Sequence, residues 1–302
     1  MRTTTSRIVV VLFATMLIAA ACGSKSSDSS KSGGATTATT AFDQALADKL
    51  PAKVKSAGKI VVAADASYAP NEFFKDDGAT VQGMDVDMGN AIGEVLGVKV
   101  EVQNAGFDTI IPALGTRYDI GMSSFTDSKE REQTVDMVTY FQAGTSFLVQ
   151  QGKNPDLTSL DTLCGKKVGV EKGTVQLDDA TAQSKTCTDA GKAAVDVQAF
   201  PDQSGANSAL SSGRVDVVML DTPVAEYQAK ISNGAFEVIG QSYGTEPYGI
   251  AVPKTAEYAG LTDALLGAVK KLAGTGTYKQ VLETWGIADG AITNFQINGA
   301  IS

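Results

Sequence analysis

Val86-Asp87-Met88-Gly89-Asn90-Ala91-Ile92-Gly93-Glu94-Val95-Leu96-Gly97-Val98-Lys99-Val100-Glu101-Val102 changes its hydrophobic period partway along. Met88, Ala91, Ile92, Val95 and Leu96 recur at the spacing of one helix face, and Gly97 ends the pattern. Val98, Val100 and Val102 then alternate with Lys99 and Glu101, which is the period of a strand. Upstream, Lys59-Ile60-Val61-Val62-Ala63 follows Gly58 as a β-branched run and reads as another strand. Strand, helix, strand at these lengths argues for an α/β sheet of largely parallel strands.

Working outward, residues 108–114 have a helical pattern and Tyr118-Asp119-Ile120-Gly121-Met122 reads as a strand. The series restarts at Lys166-Lys167-Val168-Gly169-Val170 and continues through residues 195–199 and 215–220. Two series of similar size imply two lobes. The extended stretches 145–150 and 248–252 are placed to carry the chain to the second lobe and back, and helices over 261–272 and 278–285 would return to the first. The expected organisation is lobe 1 from 42–144 and 250–302, with lobe 2 inserted as 145–249 and two crossings acting as a hinge.

The chain has 302 residues, 43% hydrophobic and 20% charged, a composition typical of a globular protein. Its formal charge of -9 leaves no basic stripe for a phosphate backbone, which argues against a nucleic-acid partner. It contains no histidine, the commonest general base and metal ligand near neutral pH, which counts against a Ser-His-Asp hydrolase or a zinc enzyme.

Arg2 and Arg7 form a positive n-region, and residues 8–21 form an apolar run too short to span a membrane comfortably. The run stops at Ala19-Ala20-Ala21-Cys22-Gly23, which resembles a lipobox cleaved before a lipid-modified Cys22. The alternative is a plain secretory signal with a stray thiol. The signal peptide is therefore expected to be 1–21. The Ser-, Gly- and Thr-rich stretch 22–41 reads as a flexible tether, because it has little apolar surface to bury. Cys164 and Cys187 lie in the exported part, where oxidising conditions favour a disulfide over two separate buried thiols.

Six segments then carry a resemblance. In order they are Asp65-Ala66-Ser67-Tyr68-Ala69-Pro70, Gly83-Met84-Asp85-Val86-Asp87-Met88, and Phe107-Asp108-Thr109-Ile110-Ile111-Pro112-Ala113-Leu114. After them come Ser123-Ser124-Phe125-Thr126-Asp127-Ser128-Lys129-Glu130-Arg131, Gly173-Thr174-Val175-Gln176, and Gly213-Arg214-Val215-Asp216 running on to Asp221. From about residue 59 to 286 the chain resembles the family 3 solute-binding proteins of ABC importers, the group that includes lysine/arginine/ornithine-, histidine- and glutamine-binding proteins. The resemblance implies a two-lobed periplasmic-binding-protein fold of type II with the ligand in the cleft between the lobes.

By the same resemblance, Arg131 grips the ligand α-carboxylate, helped by Thr126 and by the amides around Thr174 and Val175. A guanidinium suits that task because it can offer two parallel charge-assisted hydrogen bonds, and the amides would belong to a turn opening a helix, where an anion is favoured. Asp221 and Ser124 are expected to accept from the α-ammonium, Tyr68 and Phe107 to wall the ligand side chain, and Gln176 to complete the ligand set. Asp65 stands where binders of basic amino acids place a carboxylate, but glutamine binders carry one there too.

Bland readings compete. Arg131 fits a solvated helix face, Tyr68 and Phe107 fit core aromatics, and Asp221 before Thr222-Pro223 fits a helix N-cap. Asp85 is expected to cap the helix that follows it, and Asp216 to be structural. Met84 departs from the aromatic of the family's Gly-Phe-Asp signature, Asn71 stands where phenylalanine is common, and Glu171 precedes Lys172 near the second-lobe turn.

The expectation is thus an extracytoplasmic protein held at the cell membrane through lipid on Cys22, monomeric, without a catalytic step, metal or cofactor. It would capture an amino acid and deliver it to a permease and its ATPase. A cleft enzyme of dehydratase type on the same fold and a ligand-sensing receptor component are the alternatives.

Overall fold

The computed structural model describes residues 41–301; the expected signal peptide, Cys22 and the expected tether up to residue 40 lie outside the described residues. Two short helices, α1 (Gln44–Ala47) and α2 (Ala52–Ala57), lead into strand β1 (Lys59–Ala64). Three short strands, β2 (Ser67–Tyr68), β3 (Glu72–Phe74) and β4 (Val81–Gln82), pair as a small antiparallel sheet. The chain continues through α3 (Met84–Leu96), β5 (Lys99–Asn104), α4 (Phe107–Ala113), β6 (Ile120–Gly121), α5 (Lys129–Glu132) and β7 (Val135–Gln150). Then follow β8 (Lys167–Glu171), α6 (Val175–Asp189), β9 (Asp196–Phe200), α7 (Gln203–Ser211), β10 (Val217–Asp221) and α8 (Thr222–Ile231). β11 (Phe236–Pro253), α9 (Leu261–Thr275) and α10 (Thr277–Trp285) complete it.

The large sheet has the order β5-β1-β6-β11-β7-β10-β8-β9. Within each flank the pairing is parallel: β1 with β5 and β6, and β8 with β9 and β10. The centre differs from the largely parallel expectation, because β7 and β11 pair antiparallel along most of their length. The reason is topological: one strand carries the chain out to the second lobe and the other brings it home, so as neighbours they run in opposite directions. The crossings are longer than the sequence suggested, 16 and 18 residues. Their register slips between Ile239 and Tyr243 and again between Tyr243 and Glu246. Such breaks in a ladder let strands bend, which suits a hinge.

Each lobe has its own core. In the first, Met88, Ile92, Val95 and Leu96 of α3 meet Leu265 and Val269 of α9 and Leu282 of α10 around Ile60 and Val62. On the other sheet face, Phe107, Ile110 and Phe125 pack with Met137. In the second lobe, α7 and α8 cover one face, Leu210 and Val224 clustering with Val218 of β10, and Leu163, Val170 and Ala180 help fill the other. β7 supplies Val138, Tyr140 and Phe141 to the first core and Phe147, Leu148 and Val149 to the second.

Cys164 and Cys187 are disulfide-bonded, with Cα atoms 5.6 Å apart, and tie the stretch before β8 to α6. Closing this loop removes unfolded-state entropy worth about 3 kcal/mol. Asp216 accepts the N–H of Lys167 and so has the structural role expected of it. Asp85 does not cap α3. The helix begins two residues earlier than a cap at Asp85 requires, after Gly83 at φ 136, where a Cβ would run into the carbonyl of Asn71. Asp85 instead accepts the Ser124 N–H at 2.8 Å and the Tyr140 hydroxyl at 2.7 Å. A buried donor left unmade is expensive, and that long-range demand outweighs a local cap.

Candidate functional site

The C-terminal ends of the parallel strands in both lobes face a common cleft, the usual ligand position in an open α/β sheet. There a cavity is lined from the first lobe by Asp65, Tyr68, Phe107, Ser124, Thr126 and Arg131. Thr174, Val175, Gln176 and Asp221 line it from the second. The structure therefore brings together all the residues singled out for the ligand, and adds Glu72, Ser123 and Glu171 to the wall. The lobes touch directly. Arg131 Nη2 donates to the Gly173 carbonyl at 2.9 Å, the Tyr68 hydroxyl accepts the Asp221 N–H at 3.0 Å, and Ser67 Oγ accepts the Gln203 N–H at 3.0 Å. Gly173, at φ 78, admits Asp108 so closely that a Cβ would lie 2.9 Å from the Asp108 Cβ.

Arg131 sits on the short helix α5, capped by Ser128. Its guanidinium lies 5.5 Å from the Phe107 ring centre and 5.4 Å from that of Phe125, two rings stacked at 4.5 Å. Nη1 donates to the Thr126 carbonyl at 2.8 Å. These contacts aim the group without neutralising it, because both acceptors are carbonyls. Burial pulls its pKa below the ordinary value, and the charges of Asp221 and Asp178 oppose that pull. Across the cavity, α6 starts at Val175 with Thr174 as N-cap, whose hydroxyl accepts the Leu177 N–H and donates to the Glu171 carbonyl. The first turn of α6 is thus presented to the cavity, where its dipole favours an anion.

Asp221 ends β10. It occupies the N-cap position of α8 but makes no capping bond. Oδ1 accepts from Gln176 Nε2 at 2.7 Å and Oδ2 from the Tyr248 hydroxyl at 2.7 Å. Gln176, expected among the ligand contacts, also donates to Thr145 Oγ1 at 3.0 Å, so its amide holds Asp221 to the hinge strand. Burial raises the Asp221 pKa, and the bonds from Tyr248, Tyr68 and Gln176 counter it.

Ser124 adopts the left-handed region at φ 52 and is held there by Asp85. Its hydroxyl accepts from Asn71 Nδ2 at 2.9 Å, which gives the unexpected Asn71 a place behind the cavity rather than in it. Glu72 accepts from the Ser123 hydroxyl. Burial, reinforced by the neighbouring Asp85, pushes Glu72 well above the carboxylate range, while Asp85 rises to about 6, chiefly through burial. Asp65 accepts the N–H groups of Ser67 and Phe107, each at 3.1 Å, and burial raises its pKa. Tyr68 is buried among Leu148, Phe200 and Leu210 of the opposite lobe, so this first-lobe side chain is also a wedge in the second core.

Sequence reading missed Tyr248 and gave Glu171 no role. Tyr248 looked like one more strand residue, and nothing local marks its partner 27 positions away. Glu171 had a faint signal, an acid closing a β-branched run just before a Gly-Thr turn.

Two α/β lobes closing a charged, buried cavity between antiparallel crossings define a binding protein that encloses a small solute. The chain belongs to the bacterial extracellular solute-binding proteins, family 3, whose family model matches residues 60–288. It is similar to the arginine-binding protein ArgT of Corynebacterium glutamicum, with 31% identity over 82% of this chain and 81% of that protein. The L-cystine-binding protein TcyJ of Escherichia coli is 29% identical over 78% of this chain and 86% of its own length. Among solved structures, an ancestral arginine-binding protein bound to arginine has a TM-score of 0.68 and 36% identity, covering 76% of this chain and 98% of that one.

Proposed function

We propose that this protein captures a free amino acid outside the cytoplasm, held at the membrane through lipid on Cys22, and delivers it without chemical change to an ABC permease and its ATPase. Lobe 1 (42–144 and 250–302) and lobe 2 (145–249) close about β7 and β11. The observation that carries the reading is the opposition of Arg131 and Asp221 in one buried cavity, one from each lobe. Arg131, Thr126 and the first turn of α6 receive the α-carboxylate. Asp221 and Ser124 receive the α-ammonium, while Asp65, Tyr68 and Phe107 border the side chain. Because the two charged ends are met from different lobes, full binding requires closure, and the ligand shifts the hinge equilibrium by its better fit to the closed form. The arginine- and cystine-binding relatives support an amino acid as cargo. Calorimetry against the common L-amino acids tests this reading, with saturable binding of at least one expected. Binding of none, or turnover of a bound acid, would overturn it.

A further inference from the structure

Glu171 closes β8 and reaches the cavity from the second lobe, while Asp65 reaches it from the first. The residue is 2% exposed, and among the described residues its Oε1 meets no donor. The groups facing it are mostly of its own sign: Asp65 beyond β1, Asp202 at the start of α7, Asp221 at the end of β10 and Asp108 in α4. Glu72 and Tyr68 also line the cavity, and Arg131 is the cation of the lining. If Arg131 takes a ligand carboxylate and Asp221 an ammonium, Asp65 and Glu171 are left facing the side chain.

From this arrangement we infer that Glu171 selects the charge of the ligand side chain: closure around a cationic side chain leaves Glu171 ionised and paired, whereas closure around a neutral one of the same shape requires Glu171 to take up a proton. This deepens the amino-acid reading above and rests on it. With the lobes apart, Glu171 meets water and titrates near its ordinary value of 4.5. Against the closed cavity, burial first and then the surrounding aspartates push it up to about 9. Between these values, a complex that cannot pair Glu171 holds one more proton than the open protein. Its affinity therefore falls as pH rises, by up to about tenfold per pH unit. A cationic side chain removes that proton requirement and keeps affinity nearly level. Discrimination against the neutral ligand should then widen from acid to neutral pH.

Calorimetry from pH 5 to 8 with L-arginine and its neutral isostere L-citrulline tests this on the wild-type protein and on Glu171→Gln, whose melting curve checks its fold. The expected result is a level curve for arginine, a falling one for citrulline, and loss of the citrulline slope in Glu171→Gln. That variant should also bind arginine about tenfold or more weakly at pH 8, having lost a charge-assisted bond. A level citrulline curve in the wild type, or a slope that survives in Glu171→Gln, overturns the inference. If neither probe binds but L-glutamine does, this inference falls and the amino-acid reading stands. If no amino acid binds, both fall.

Discussion

The Tyr248 hydroxyl donates to Asp221 Oδ2 at 2.7 Å, so a residue of the returning hinge strand orients the carboxylate that ends β10. Tyr248→Phe keeps the ring packed against Tyr140 and Phe141 and removes that donor. Amino-acid affinity should drop by about 1–1.5 kcal/mol, the net worth of one hydrogen bond. With a stabilising donor gone, the Asp221 pKa rises further. The deficit should therefore be largest at acid pH and shrink as pH rises toward 8. Titrations at two pH values check this, and an unchanged affinity would show that Tyr248 does not support the site.

Truncating Arg131 to alanine should cost about 2–4 kcal/mol or more in binding, the penalty for leaving a buried charge unpaired. Asp221→Asn should be comparably damaging for an amino acid but much less so for its desamino analogue, which brings no ammonium. A double-mutant cycle by calorimetry isolates the contact. Coupling near zero would remove Asp221 from the ammonium site.

Reducing the Cys164–Cys187 disulfide should lower unfolding stability by about 3 kcal/mol. Ligand affinity should change little, because Cys187 lies twelve residues along α6 from Val175, roughly 18 Å at 1.5 Å per residue. Denaturant melts and binding titrations with and without reductant separate the two effects. A large affinity loss with an unchanged midpoint would contradict the assignment.

Asp127 is fully buried and accepts the Gly299 N–H at 2.6 Å, but its Oδ1 has no partner among the described residues. Burial, with Glu132 beside it, pushes its carboxyl to about 7. The folded state thus holds a proton that the unfolded chain has lost between pH 3.8 and about 7, and stability from this group declines as pH rises through that window. Asp127→Asn, which is neutral without taking up a proton, should be more stable than wild type at pH 8 by on the order of 1–3 kcal/mol. The advantage should vanish near pH 4. Melting curves across that range decide the matter, and a variant less stable at pH 8 would refute it.

Cys22→Ala should move the protein from the membrane fraction to the soluble one while leaving ligand binding intact. Retention of the variant in membranes to the same extent would exclude lipid on Cys22 as the anchor.

The alternation of strands and helices, and the stop at Gly97, were legible in the sequence because they rest on local periodicity and on a φ value that glycine accepts at a helix end. The motif segments from Asp65 to Asp221 could likewise be named in advance. Burial and pairing could not. A buried acid is written with the same letter as a solvated one, so Asp85 read as a cap although its partners are Ser124 and Tyr140, 39 and 55 positions away. The same blindness hid Tyr248 behind Asp221 and left Glu171 without a role. Only the folding of the antiparallel pair β7 and β11 brings the two lobes face to face. Desolvation between them then decides which carboxylates hold protons and which carry charge.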